Sequence, residues 1–167
     1  MTVSNLRDLL VEQLRDLYNA ETQVQLALER WAGEAGAQEM KQLFTDHLEQ
    51  TSRHINRVQQ ICNALDVSPA GEKCHGMEGL ITEGDTFLED AEAGPVRDAG
   101  LIANAQRIEH YNIAGYGCAR SYAKQLGLDE AAKALQRNLD ESARMDERMT
   151  ELAERLVNPE AVEMETA

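Results

Sequence analysis

Several polar residues interrupt the apolar repeats of this chain: Glu21, His47, Thr51, His54, Glu109, Asn112, Ser142 and Asp146. Burying an unpaired carboxylate costs several kcal/mol, and no Lys or Arg falls on the same stripes at that height to offset Glu21 and Glu109. Protonation, an ordered water network or a bound cation would each supply the missing compensation. Carboxylate oxygen combined with imidazole nitrogen suits iron or manganese. A hydrogen-bonded network of Glu21, His54 and Glu109 without metal meets the same demand. In that metal-free case, replacing Glu21 by Leu is expected to stabilise the fold.

The stripes that carry these residues are helical. Leu6, Leu10, Leu14, Leu17, Glu21, Val24, Leu28 and Trp31 recur at alternating steps of three and four. A second stripe runs from Met40 through His47, Thr51 and His54 to Leu65, and a third from Ile102 through Glu109, Asn112 and Tyr116 to Leu126. The fourth reads Leu135, Leu139, Ser142, Asp146, Met149, Ala153 and Leu156. Glycine and proline cut between them. Asn5 caps a first helix that reaches about 30–32, and a second covers about 37–65. A shorter amphipathic piece spans roughly 77–91. Gly94-Pro95 opens a third long helix that Gly127 ends, and Asp129 caps a fourth that stops at Asn158-Pro159.

Short links make antiparallel hairpins of the first and last pairs, while the long middle link can run the length of a bundle. The expected fold is therefore all-α, a ferritin-like four-helix bundle whose long crossover contains a short helix. Residues 1–158 form the domain, and 159–167 a flexible acidic tail. Folding each hairpin about its turn sets Glu21 level with Thr51, with His47 and His54 a turn to either side. It also sets Glu109 level with Asp146, and Asn112 level with Ser142.

Composition narrows the partners. The 167 residues hold 16 Lys+Arg against 30 Asp+Glu, a formal charge of -14, and only 4% are aromatic. Such a surface repels nucleic acid and anionic membranes, and it attracts cations. Charges at Arg7, Asp8, Glu12 and Arg15 break the first apolar pattern, so no secretion signal is expected. Cys62, Cys74 and Cys118 lack zinc-type spacing, which suits reduced thiols in a cytoplasm, with Cys62 and Cys118 in the core. Cys74-His75 at the crossover reads as a structural thiol beside a capping-region His, or as a redox thiol.

The segments LRDLYNAETQV (Leu14–Val24), HLEQTSRHINRV (His47–Val58), AQRIEHYNIAGYG (Ala105–Gly117) and AKQLG (Ala123–Gly127) resemble the YciF/YciE family of ferritin-like bacterial stress proteins. KCHGMEGLI (Lys73–Ile81) extends the resemblance across the crossover. It implies a homodimer of bundles related to rubrerythrin and ferritin, often with a dimetal site, and induction by stress. Glu21 matches the first-helix Glu of such sites, Glu109 the third-helix Glu, and His54 the second-helix His. Thr51 stands three positions before His54, where dimetal relatives place Glu. Asn112 and Ser142 stand where family members commonly carry Glu, and the fourth helix has no His. Asp146 and Glu141 are the carboxylates available there, with Glu141 beside the stripe, as Glu49 is on the second helix. The implied site for iron or manganese thus draws on Glu21, His54, Glu109, Asp146, Glu141 and Glu49.

Two functions are open at this stage. One is a redox-type metal protein that oxidises iron or manganese, or removes peroxide, under stress. Tyr18 and Tyr116 lie near the layer and would serve it as electron relays, or merely as packing rings. The other is a non-enzymatic structural or partner-binding bundle with a degenerate site, which Asn112 and Ser142 favour.

Overall fold

The computed structural model describes residues 2–164. Helices α1 (Leu6–Glu34) and α2 (Gln38–Ala64) form one hairpin, and α4 (Pro95–Gln125) with α5 (Asp129–Leu152) the other. Between them α3 (His75–Asp90) occupies the crossover and lies across α1 and α4. The hairpins meet through α1 on α4 and α2 on α5. Among the described residues there is no strand, and no helix is long and apolar enough to cross a membrane. The expected all-α bundle with its crossover helix is the architecture found.

The helix ends follow local chemistry. Asn5 caps α1 by accepting the Asp8 N–H at 2.9 Å. No side chain of α2 caps its own start; Asp98 of α4 does so, accepting the Gly36 and Ala37 N–H groups at 2.8 Å each. The Cys74 thiol accepts the Met77 N–H at 3.4 Å, so this cysteine is the capping group of α3. Gly127 ends α4 with φ of 69°, a left-handed turn that favours glycine.

Three expectations change. Asp129 begins α5 rather than capping it, with Leu128 at the cap position. The fourth helix does not stop at Asn158-Pro159: a π-helical turn, Ala153–Val157, leads into α6 (Asn158–Glu163). Pro159 falls in the first turn of α6, where proline is tolerated. The segment expected as a tail is thus helical up to Glu163, and residues 165–167 lie outside the described residues. Cys118 is exposed, whereas Cys62 and Cys74 are buried.

Two apolar clusters fill the bundle, one around Trp31, Phe44, Ile102 and Met149, the other around Leu14, Val58, Ala119 and Leu135. The polar layer lies between them. A close fit at α3 fixes the crossover: a Cβ at Gly84 would sit 2.3 Å from Cζ2 of the fully buried Trp31. The same indole donates its Nε1–H to Asp85 Oδ1 at 2.9 Å. Trp31 is fully buried and tied to Asp85, so Gly84→Ala is expected to cost about 1–3 kcal/mol. A urea titration should show a lower midpoint at unchanged slope. A midpoint at or above that of the unaltered chain would contradict this docking.

Candidate functional site

Each buried glutamate of the layer meets an imidazole on α2. His47 and His54 are two helical turns apart, so both face inward, at different heights, with Gln50 and Thr51 between them. His54 donates Nδ1–H to Glu21 Oε1 at 2.8 Å, and Tyr116 donates its hydroxyl to the same oxygen at 2.6 Å. Glu109 Oε1 accepts from His47 Nε2 at 2.7 Å and from Gln50 Nε2 at 3.0 Å. The rings of His54 and Tyr116 meet edge to face with centroids 5.4 Å apart. All six residues are at most 5% exposed.

His54 has a second carboxylate on its other nitrogen. Nε2–H donates to Glu141 Oε2 at 3.2 Å. Arg57 grips both oxygens of that carboxylate at 2.9 Å and reaches Asn138 Oδ1 at 2.8 Å. Burial alone would push the His54 pKa down, but the charge of Glu21 and the hydrogen bonds to Glu141 and Glu21 hold it up, at about 9. Burial likewise opposes the charge of Glu141, yet the hydrogen bonds from His54 and Arg57 draw its pKa down to about 2. Burial and the charge of Glu21 both raise the Tyr116 phenol well above its usual range, so it acts as a hydrogen-bond donor. His54 is thus an imidazolium between two carboxylates. It supplies the buried positive charge that no Lys or Arg provides on the stripes, and Glu21→Leu would strand its Nδ1–H rather than relieve the core. A loss of stability rather than a gain is therefore the outcome predicted for that substitution in the metal-free chain.

The layer also has polar atoms still to be satisfied. Glu21 Oε2, Glu109 Oε2, His47 Nδ1, Thr51 Oγ1, Ser142 Oγ and both amide atoms of Asn112 are buried without a protein partner. Two carboxylate oxygens and the neutral oxygens beside them in that group are hard donors, the type that a small cation takes. They do not fit a dinuclear centre, which in carboxylate bundles takes a Glu from each of two helices and Glu-x-x-His from each of the others. Among the described residues no three His, Cys, Asp or Glu side chains converge as a metal cluster. A doubly protonated His54 also has no lone pair to offer a metal.

The six residues implied as ligands are therefore distributed unevenly. Glu21, His54 and Glu141 form one hydrogen-bonded chain, and Glu109 belongs to the same layer through the field it exerts on His54. Asp146 lies on the rim of α4 and α5, accepting from Gln106 Nε2 at 3.0 Å, with His110 Nε2 3.4 Å away. The inward positions of α5 are Leu135, Asn138, Ser142, Met145, Met149 and Leu152: Leu135, Ser142 and Met149 fall where expected, while Asn138, Met145 and Leu152 take the places of Leu139, Asp146 and Ala153, which leaves Asp146 outward. Glu49 is exposed, because it sits about 200° round the helix from His47. Tyr116 touches the layer directly; Tyr18 is packed against the apolar cluster of Leu14 and Val58. Gln50 stands where the family resemblance implies Glu or Gln, whereas Arg57 and Asn138 are additions of the structure to the site. Arg57 follows His54 by one turn, and that spacing is the one signal that could have pointed to it.

The chain is similar over most of its length to proteins of known structure. It is 39% identical over 162 residues to Protein YciF of Escherichia coli, covering 96% of this chain and 98% of that one. The crystal structure of that E. coli stress protein superposes with a TM-score of 0.89 over 93% of this chain and 99% of the other. YcfI from Rhodopseudomonas palustris, 38% identical, gives 0.84 over 89% and 94% of the two chains. The model of the DUF892 family, described as a domain of unknown function, matches residues 5–162. With that match and the near full-length similarity to YciF, this chain belongs to the YciF (DUF892) family.

Proposed function

We propose that this chain is a stress-response bundle, like its E. coli relative, whose core layer binds a single iron or manganese ion between Glu21 and Glu109. One observation carries the reading: nearly all the unpartnered buried polar atoms of the described residues gather in this layer, two carboxylate oxygens among them. Glu21 and Glu109 would hold the ion through Oε2, with His47 Nδ1 and the neutral oxygens of Thr51, Asn112 and Ser142 as auxiliary donors. A bound ion of this kind would supply redox chemistry toward oxygen or peroxide, so metal oxidation or peroxide removal is the activity to seek. The protein groups have separate tasks. His54 and Tyr116 fix the Glu21 carboxylate by two hydrogen bonds on Oε1 and leave Oε2 free. His47 and Gln50 do the same for Glu109. The apolar clusters above and below exclude bulk water. We place this function in a homodimer, the assembly that the family resemblance implies.

The second reading is a non-enzymatic structural bundle, favoured by the imidazolium that already compensates Glu21. Thermal melts with and without Mn(II) or anaerobic Fe(II) separate the two. At a hundredfold excess over its dissociation constant, an ion bound only by the folded chain adds about 2.7 kcal/mol, read as a higher Tm. Glu21→Gln keeps an oxygen for His54 and Tyr116 but removes the charge, and it should lose most of that shift. A melting curve of the unaltered chain indifferent to both ions favours the structural reading.

A further inference from the structure

Carboxylates outnumber Lys and Arg in this chain, 30 against 16, yet the balance is inverted around a surface cavity of about 280 Å³ between the end of α2 and the start of α5. Arg57, Lys133 and Arg137 line it, against the single carboxylate of Glu130. Glu130 pairs with Lys133 at 2.7 Å, but the two side chains are 89% and 65% exposed, and such a pair holds neither group firmly. Arg137 is exposed and makes no hydrogen bond or ion pair among the described residues. Ile61 and Ala134 supply an apolar wall.

Arg57 gives this cavity a defined geometry. Three of its N–H donors are engaged, on Asn138 Oδ1 at 2.8 Å and on the two Glu141 oxygens at 2.9 Å. Those partners fix the guanidinium plane, and neither of them lines the cavity. Nε–H and the second Nη2–H, the other edge of the planar fork, have no protein acceptor among the described residues. Two parallel donors on a guanidinium already held in place match the two oxygens of a carboxylate. We propose that the cavity binds a small organic carboxylate, with its oxygens on the free edge of Arg57 and beside Arg137, and its apolar body against Ile61 and Ala134. Its volume lies near the lower bound of about 300 Å³ for small-molecule pockets, which suits a short chain or a single ring. The site stands whether or not an ion occupies the core layer.

The test titrates the full chain with octanoate and follows it by NMR. The amide signals of Ile61 and Ala134 and the Arg57 Nε–H signal should move together and saturate. Arg57→Lys keeps the charge but loses the fork, so it should weaken binding about tenfold or more. Arg137→Gln should weaken it several-fold, whereas Arg144→Gln, exposed on the same helix and outside the cavity, should leave it unchanged. Octanol has the apolar body without the carboxylate and should bind at least about tenfold more weakly. If Arg57→Lys does not fold, Arg137→Gln and octanol decide the matter. Octanol binding as tightly as octanoate, an affinity for octanoate unchanged in the cavity variants, or no saturable shift at these residues each overturns the site.

Discussion

His54→Ala is expected to lower the stability of the metal-free chain by about 3–5 kcal/mol, a large share of what a domain of this size possesses. The substitution strands Glu21 in a core where, among the described residues, Tyr116 is the only remaining donor to its Oε1, and it takes the inner partner from Glu141. Cavity formation adds to the loss. The cost belongs to the broken pair rather than to the pair itself. Replacing both partners, as Glu21→Leu with His54→Leu, should therefore recover much of it, less the price of leaving the Tyr116 hydroxyl without an acceptor. A double-mutant cycle in urea measures the coupling. Additive losses would show that Glu21 and His54 do not act as a pair.

Asp98→Ala is the second large effect. The buried Asp98 carboxylate accepts the Gly36 and Ala37 N–H groups just before α2, so it closes the first hairpin from the second. Removing it takes the acceptor from the N–H groups of exposed Gly36 and half-buried Ala37, at an expected cost of about 1–2 kcal/mol. Asp98→Asn keeps one acceptor and should lose less. Hydrogen exchange ought to locate the damage at the start of α2, with Gly36 and Ala37 exchanging first. A variant within about 0.5 kcal/mol of the unaltered chain would show that water caps these groups adequately.

The parts of this fold that were legible in the sequence are those that one helix decides for itself. Glu21, His54 and Glu109 sit on long runs of three-and-four spacing, which place them inward whatever the neighbours do. On α5 the choice between two adjacent stripes turned on Leu139 against Asn138. Hydrophobicity favours Leu139, but the structure seats Asn138 inward because Arg57 and the His54 carbonyl satisfy its amide. That single-residue rotation also put Asp146 on the rim. Folding a hairpin about its turn fixes heights within that hairpin only. Glu109 was therefore matched with α5, whereas its partners His47 and Gln50 lie across the bundle on α2. Arg57 escaped notice for a different reason: it stands off the stripe, and only a long side chain brings its charge to the edge of the core.

Glu21 and Glu109 are proposed to hold one ion between them. The most direct measurement is metal analysis of chain purified without chelator or immobilised nickel, equilibrated with Mn(II) and then freed of unbound ion by gel filtration. About one ion per chain is expected, and essentially none in the double variant Glu21→Gln, Glu109→Gln with the fold intact. No retained Mn(II) in the unaltered chain, or equal amounts in the double variant, would contradict it.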